Sequence, residues 1–138
     1  IGSDDVRAAI AAFVEAHPDH VSYVESFGQL GYLSVMREVD VVTGNSSSTV
    51  LEAPIFGKAS VLIGNRQEGR PMGASTINVG ADRNQILAAL QRALSPEFKA
   101  IAAATESPFG TPGFAARALA ELVSHKIATP PKKKFFSA

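Results

Sequence analysis

The chain has 138 residues, 46% hydrophobic and 19% charged, with 13 basic side chains against 13 acidic ones. That is one globular domain in length, with enough apolar material for a core. Net neutrality argues against a nucleic acid or a membrane surface as partner, because both need a basic excess. The one local excess, Lys132-Lys133-Lys134, reads as a solvated tail. Cysteine is absent, which excludes disulfides and thiolate metal sites. No apolar run approaches the roughly 20 residues of a bilayer span. The start, Ile1-Gly2-Ser3-Asp4-Asp5, lacks the basic and apolar stretches of a signal peptide, so the cytoplasm is the expected compartment.

Helix-like and strand-like segments alternate along the chain. Ser3 reads as an N-cap, with Asp4 and Asp5 in the first turn and Val6, Ile10, Phe13 and Val14 on one helical face. Pro18 ends that element. The β-branched and aromatic run over 21–25 reads as a strand, Gly28 and Gly31 as a loop over 26–32, and Leu33, Met36 and Val39 as a short helix. A strand over 40–43 leads into Gly44-Asn45-Ser46-Ser47-Ser48, from which a helix is expected to run to about Phe56, with Gly57 ending it. Strands follow over 60–63 and 76–79, separated by a polar loop over 64–75 of functional length. Asp82 caps a helix bearing Ile86, Leu87, Leu90 and Leu94, and Ser95-Pro96 opens another. After a loop over 107–113, the segment 114–126 reads as a last amphipathic helix.

Short apolar strands alternating with helices predict an α/β fold, a Rossmann-like doubly wound parallel sheet covered on both faces. Such sheets bind ligands at the carboxyl ends of their strands. The expected functional loops are therefore 26–32, 44–48, 64–75 and 107–113. The chain opens on a helix with no strand before it, and Phe135 and Phe136 follow Pro130-Pro131 with no element to bury them. Both ends read as frayed, or as docked onto something larger.

The main chemical signal is the serine turn. Unpaired N–H groups and a partial positive charge at a helix start suit an anion, and three serine hydroxyls add donors without bulk. The plainer alternative is that Ser46 or Ser47 simply caps a helix. Glu52, six residues beyond Ser46, is either a solvated glutamate or an acceptor for ribose hydroxyls. Arg66 and Arg70 lie in Gly64-Asn65-Arg66-Gln67-Glu68-Gly69-Arg70, as surface charges or as forks for phosphate oxygens at the same sheet edge. There is no Gly-Lys-Ser/Thr P-loop ending and no Gly-x-Gly-x-x-Gly fingerprint. His17, His20 and His125 show no metal-ligand spacing, and no nucleophile elbow is present. The residues themselves therefore point to no catalytic set, no metal and no cofactor.

Tyr32-Leu33-Ser34, Asp40-Val41-Val42, the serine turn through Glu52-Ala53-Pro54, Phe56-Gly57 and the 64–70 loop together resemble the UDP-N-acetylglucosamine 2-epimerase family. The resemblance continues through Ser75-Thr76-Ile77-Asn78-Val79-Gly80, Ser107-Pro108-Phe109-Gly110 and the Lys132 to Phe136 tail, and so covers almost the whole chain. The triple serine and the Arg-Gln-x-Gly-Arg loop are more similar to the hydrolysing branch, which yields UDP and N-acetylmannosamine. The resemblance implies the carboxy-terminal half of a glycosyltransferase-B type architecture. Residues 1–128 would form the UDP-binding domain, and 129–138 a tail docking on the missing amino-terminal domain of the same protein. It further implies UDP or UDP-N-acetylglucosamine as ligand. Ser46, Ser47 and Ser48 would hold the diphosphate, Glu52 the ribose and Tyr32 the uracil, with Arg66, Gln67 and Arg70 lining the cleft. The family's acid–base groups belong to the other half, so this part is expected to be inactive alone and, with its docking surface bare, to self-associate as a homo-oligomer. The alternative is the corresponding half of a glycosyltransferase using a UDP-sugar donor, and a third is a self-standing binding module.

Overall fold

A computed structural model describes residues 3–125. The expected tail over 129–138, with Lys132, Lys133, Lys134, Phe135 and Phe136, lies outside the described residues, as do Lys126 and the capping role expected of the Ser3 side chain.

The elements run α1 (Ser3–Ala16), α2 (Gly28–Glu38), β1 (Val41–Gly44), two 3-10 turns (Ser47–Thr49 and Ala53–Phe56), β2 (Ala59–Ile63), β3 (Thr76–Val79), α3 (Arg83–Ala93), α4 (Pro96–Ala104) and α5 (Phe114–Ser124). The three strands form one parallel sheet in the order β1-β2-β3, with Val41 opposite Ala59 and Val61 opposite Ile77. This is the α/β, Rossmann-like arrangement read from the sequence. Among the described residues, no helix is long and apolar enough to cross a membrane.

Successive strand residues point to opposite faces, and the two faces are covered differently. On one, Val41, Ala59, Val61, Ile63, Ile77 and Val79 pack with Ala89, Ala93, Phe98 and Ala102 of α3 and α4. The alanines let the helices lie close, and Phe98 fills the remaining space with the Arg92 guanidinium 5.2 Å from its ring centre. Both helices start where the sequence predicts. The Asp82 carboxylate accepts from the N–H groups of Asn84 and Gln85, and the Ser95 hydroxyl from that of Phe98. On the other face, the chain between β1 and β2 covers Ser60 and Leu62, both fully buried. Gly57 closes that connection in a left-handed conformation, φ 63°, where a side chain would also press within 3.2 Å of Ala103 Cα.

Three local expectations are corrected. Segment 21–25 is not a strand. Its composition suits a pleated surface, but a strand also needs a ladder neighbour. Instead Tyr23 lines clefts against Ile10 and Val14 of α1, and among the described residues the sheet has three strands rather than four. The loop expected over 26–32 shrinks, because α2 begins at Gly28 and runs through Gly31. A glycine inside a helix costs about 1 kcal/mol without breaking it; here Gly31 lies against Phe27, whose Cβ would be 3.2 Å from an added methyl. Finally, no continuous α-helix runs to Phe56. The Thr49 N–H and hydroxyl both turn back to the Ser46 carbonyl, at 3.3 and 2.7 Å, which tightens the first turn. Pro54 has no N–H to carry an α-helical ladder onward.

Candidate functional site

The serine turn leaves the carboxyl end of β1 through Gly44, whose φ of 140° takes the chain sharply away from the strand. Ser46 caps the first 3-10 turn, its Oγ accepting from the Ser48 N–H at 3.4 Å and donating to Ser48 Oγ at 3.4 Å. Among the described residues, the N–H groups of Ser46 and Ser47 have no protein acceptor. Ser46 is exposed, and Ser47 and Ser48 are half-buried. The turn thus presents hydroxyls and free N–H groups together at the sheet edge where parallel α/β folds bind ligands.

The turn is held from beneath by hydroxyls that sequence reading had not singled out. Ser60 Oγ, from the second residue of β2, donates to the Thr49 carbonyl at 2.7 Å and lies 3.0 Å from Thr76 Oγ1, which reaches the same carbonyl at 3.3 Å. Ser60 and Thr49 are almost fully buried. The available signal was a lone serine inside the apolar strand Ala-Ser-Val-Leu-Ile, since a buried hydroxyl must find a partner.

Glu52 directly precedes the second 3-10 turn, and its N–H is bonded to the Ser48 carbonyl of the first at 3.2 Å. It therefore sits at the junction of two tight turns, not two turns into an α-helix. Its Oε2 is buried and has no hydrogen-bond partner among the described residues. Gln67 is the inward residue of the 64–70 loop, 4% exposed, and its Nε2 donates to the Asn45 carbonyl at 2.9 Å. Arg66 and Arg70 flank it and are exposed. Among the described residues, neither arginine forms an ion pair. Tyr32 lies apart on α2, lining a groove of about 700 Å³ with Val24, Phe27, Val35 and the β1 residues Val41 and Thr43. Ser46, Ser47, Ser48, Glu52 and Gln67 are thus joined by hydrogen bonds or by the same turn, and the Arg70 N–H donates to the Gln67 carbonyl at 3.1 Å, whereas among the described residues no hydrogen bond links Tyr32 or Arg66 to that group.

Residues 2–123 match the family described as UDP-N-acetylglucosamine 2-epimerase. The chain belongs to that family. Among its curated relatives, it is 29% identical over 108 residues to the polysialic acid biosynthesis protein P7 of Escherichia coli, a stretch covering 78% of this chain and 27% of that protein. It is 31% identical over 99 residues to the hydrolysing UDP-N,N'-diacetylbacillosamine 2-epimerase of Legionella pneumophila, covering 71% of this chain and 26% of that one. To the UDP-N-acetylglucosamine 2-epimerase of Neisseria meningitidis serogroup B it is 36% identical over 64 residues, 46% of this chain and 17% of that protein. The matched stretch therefore amounts to about a quarter or less of the curated relatives. Within this epimerase family member, the serine turn and the 64–70 loop both lie in the matched stretch.

Proposed function

We propose that this chain is the UDP-binding domain of an epimerase of the hydrolysing kind, which releases UDP and N-acetylmannosamine from UDP-N-acetylglucosamine. One observation carries the reading: three serine hydroxyls lie where the chain leaves β1, together with two N–H groups that have no protein acceptor among the described residues. A diphosphate needs convergent donors and tolerates few acceptors, and this turn offers that balance. The unpartnered Glu52 Oε2 supports a ribose contact, since a carboxylate accepts from both vicinal hydroxyls. The exposed guanidinium groups of Arg66 and Arg70 suit phosphate oxygens, and the groove beside Tyr32 suits a flat base such as uracil. Two relatives are named as hydrolysing enzymes acting on nucleotide-linked diacetylbacillosamine, so the shared ligand chemistry is a nucleoside diphosphate carrying an acetamido sugar.

In this reading the reaction is elimination of UDP to a glycal, then addition of water with inversion at C2. The acid–base groups for both steps belong to a preceding Rossmann-like half in a glycosyltransferase-B type arrangement, which closes over the ligand and excludes water. Residues 1–128 supply the grip on UDP and not the chemistry.

Isothermal titration of the chain with UDP tests the grip. Heat of binding in the millimolar range or tighter is expected, weakened roughly tenfold in a Ser46→Ala, Ser47→Ala double variant that removes two hydroxyl donors to a charged group. Absence of binding at millimolar UDP contradicts the proposal. For the chemistry, a protein containing both halves should release free N-acetylmannosamine from UDP-N-acetylglucosamine with no acceptor present; strict dependence on an acceptor contradicts it.

A further inference from the structure

Gln67 is the one inward side chain between two exposed arginines, and it is buried without being fully satisfied. Its Nε2 donates to the Asn45 carbonyl 22 residues away, while its Oε1 is buried with no partner among the described residues. Leaving a buried amide oxygen unpaired is destabilising, because the oxygen gives up its bonds to water and gains none in return. A glutamine kept at such a cost is suited to a task that an apolar residue of the same size could not perform.

The geometry of the peptide unit shows what that task is. The Asn45 carbonyl and the Ser46 N–H belong to the same peptide group, which is planar and trans, so they point in opposite directions. Holding the carbonyl back with the Gln67 amide fixes the plane of that peptide and sends the Ser46 N–H the other way. That N–H is one of the two in the turn without a protein acceptor among the described residues. If the peptide flipped, the turn would present a carbonyl oxygen where an anion needs a donor, and attraction would become repulsion.

We propose that Gln67 is a positioning residue for the diphosphate, acting through the Asn45–Ser46 peptide rather than by touching the ligand. This replaces the direct contact expected of it from the family resemblance, and it rests on the reading of the serine turn as the diphosphate site. The same bond ties the loop carrying Arg66 and Arg70 to the turn, so the two sources of positive potential form a single unit.

The test compares UDP with uridine on the wild-type chain and on Gln67→Met, which keeps the volume and removes both the donor and the unpaired oxygen. Gln67→Met is expected to keep or raise the midpoint of thermal unfolding, to weaken UDP about tenfold, and to leave uridine binding unchanged. Equal affinities of variant and wild type for UDP overturn the positioning role. Equal weakening of UDP and uridine with a lowered midpoint also overturns it, since Gln67 is then only a structural strut. Failure of the wild type to bind UDP at all strikes the diphosphate reading instead. Should the variant fail to fold, the wild-type chain still decides the matter by NMR. On adding UDP the Ser46 amide proton should move downfield; movement at Ser47 and Ser48 with Ser46 unmoved contradicts the proposal.

Discussion

The two faces of the sheet are built from the same three strands yet serve different ends. The face under α3 and α4 is apolar and alanine-lined, and Phe98 at 4% exposure is its largest buried side chain. The opposite face carries Ser60 and Thr76, which hydrogen-bond upward to the Thr49 carbonyl and so fix the base of the serine turn. Burial that depends only on area tolerates small displacements, whereas hydrogen bonds specify direction. One face therefore stabilises the domain, and the other fixes the direction of the serine turn proposed to hold the ligand.

The largest expected effect breaks the apolar face alone. Phe98→Ala should destabilise the chain by about 3–5 kcal/mol in urea unfolding, as a buried aromatic removed from a closed core. UDP affinity of the remaining folded molecules should be unchanged; a parallel loss of affinity would mean that the faces are not separable. Ser60→Ala probes the other face. Loss of its buried hydrogen bond to the Thr49 carbonyl should cost about 1–3 kcal/mol, and UDP binding should weaken several-fold because the Thr49 carbonyl is held by Thr76 alone. A stability loss with unaltered UDP affinity would remove the directional role assigned to that face.

The third and smallest effect lies outside both faces, where Lys99 of α4 meets Asp40 at the foot of β1, at 2.7 Å. The hydrogen bond and charge of Lys99 hold the Asp40 carboxyl below its ordinary value of 3.8. A lowered folded-state pKa stabilises the protein above the ordinary value, and that stability is lost as pH falls through the folded value. Stability curves of wild type and Asp40→Asn should therefore separate slightly above about pH 4 and converge in stronger acid. Both side chains are exposed, so raising the salt should narrow the gap. A gap that persists in strong acid would mean that the carboxylate charge is not its source.

Much of the fold was legible in the sequence because its signals are local. The caps at Asp82 and Ser95, the apolar strands and the serine-rich strand end all depend on residues within a turn of one another. Segment 21–25 misled because β-propensity describes how a side chain fits a sheet, and the sheet offers it no ladder. The break at Thr49 and Pro54 was partly legible from the proline, but the hydroxyl of Thr49 returning to Ser46 was not. The inward turn of Gln67 was hidden for a similar reason. In a loop of polar residues nothing local marks which one points in, and its partner Asn45 is 22 residues away. The site's chemistry was visible as residue types; the bonds that orient it arise only when distant segments meet.

The central claim is that the serine turn, supported by Ser60 and Gln67, binds the diphosphate of UDP. An amide-resolved NMR titration of the chain with UDP tests it most directly. The largest shifts are expected at Ser46, Ser47, Ser48 and Glu52, with smaller ones at Arg66 and Arg70 and none along the buried face of α3. Shifts confined to the groove between α2 and β1, or no shifts at millimolar UDP, would contradict it.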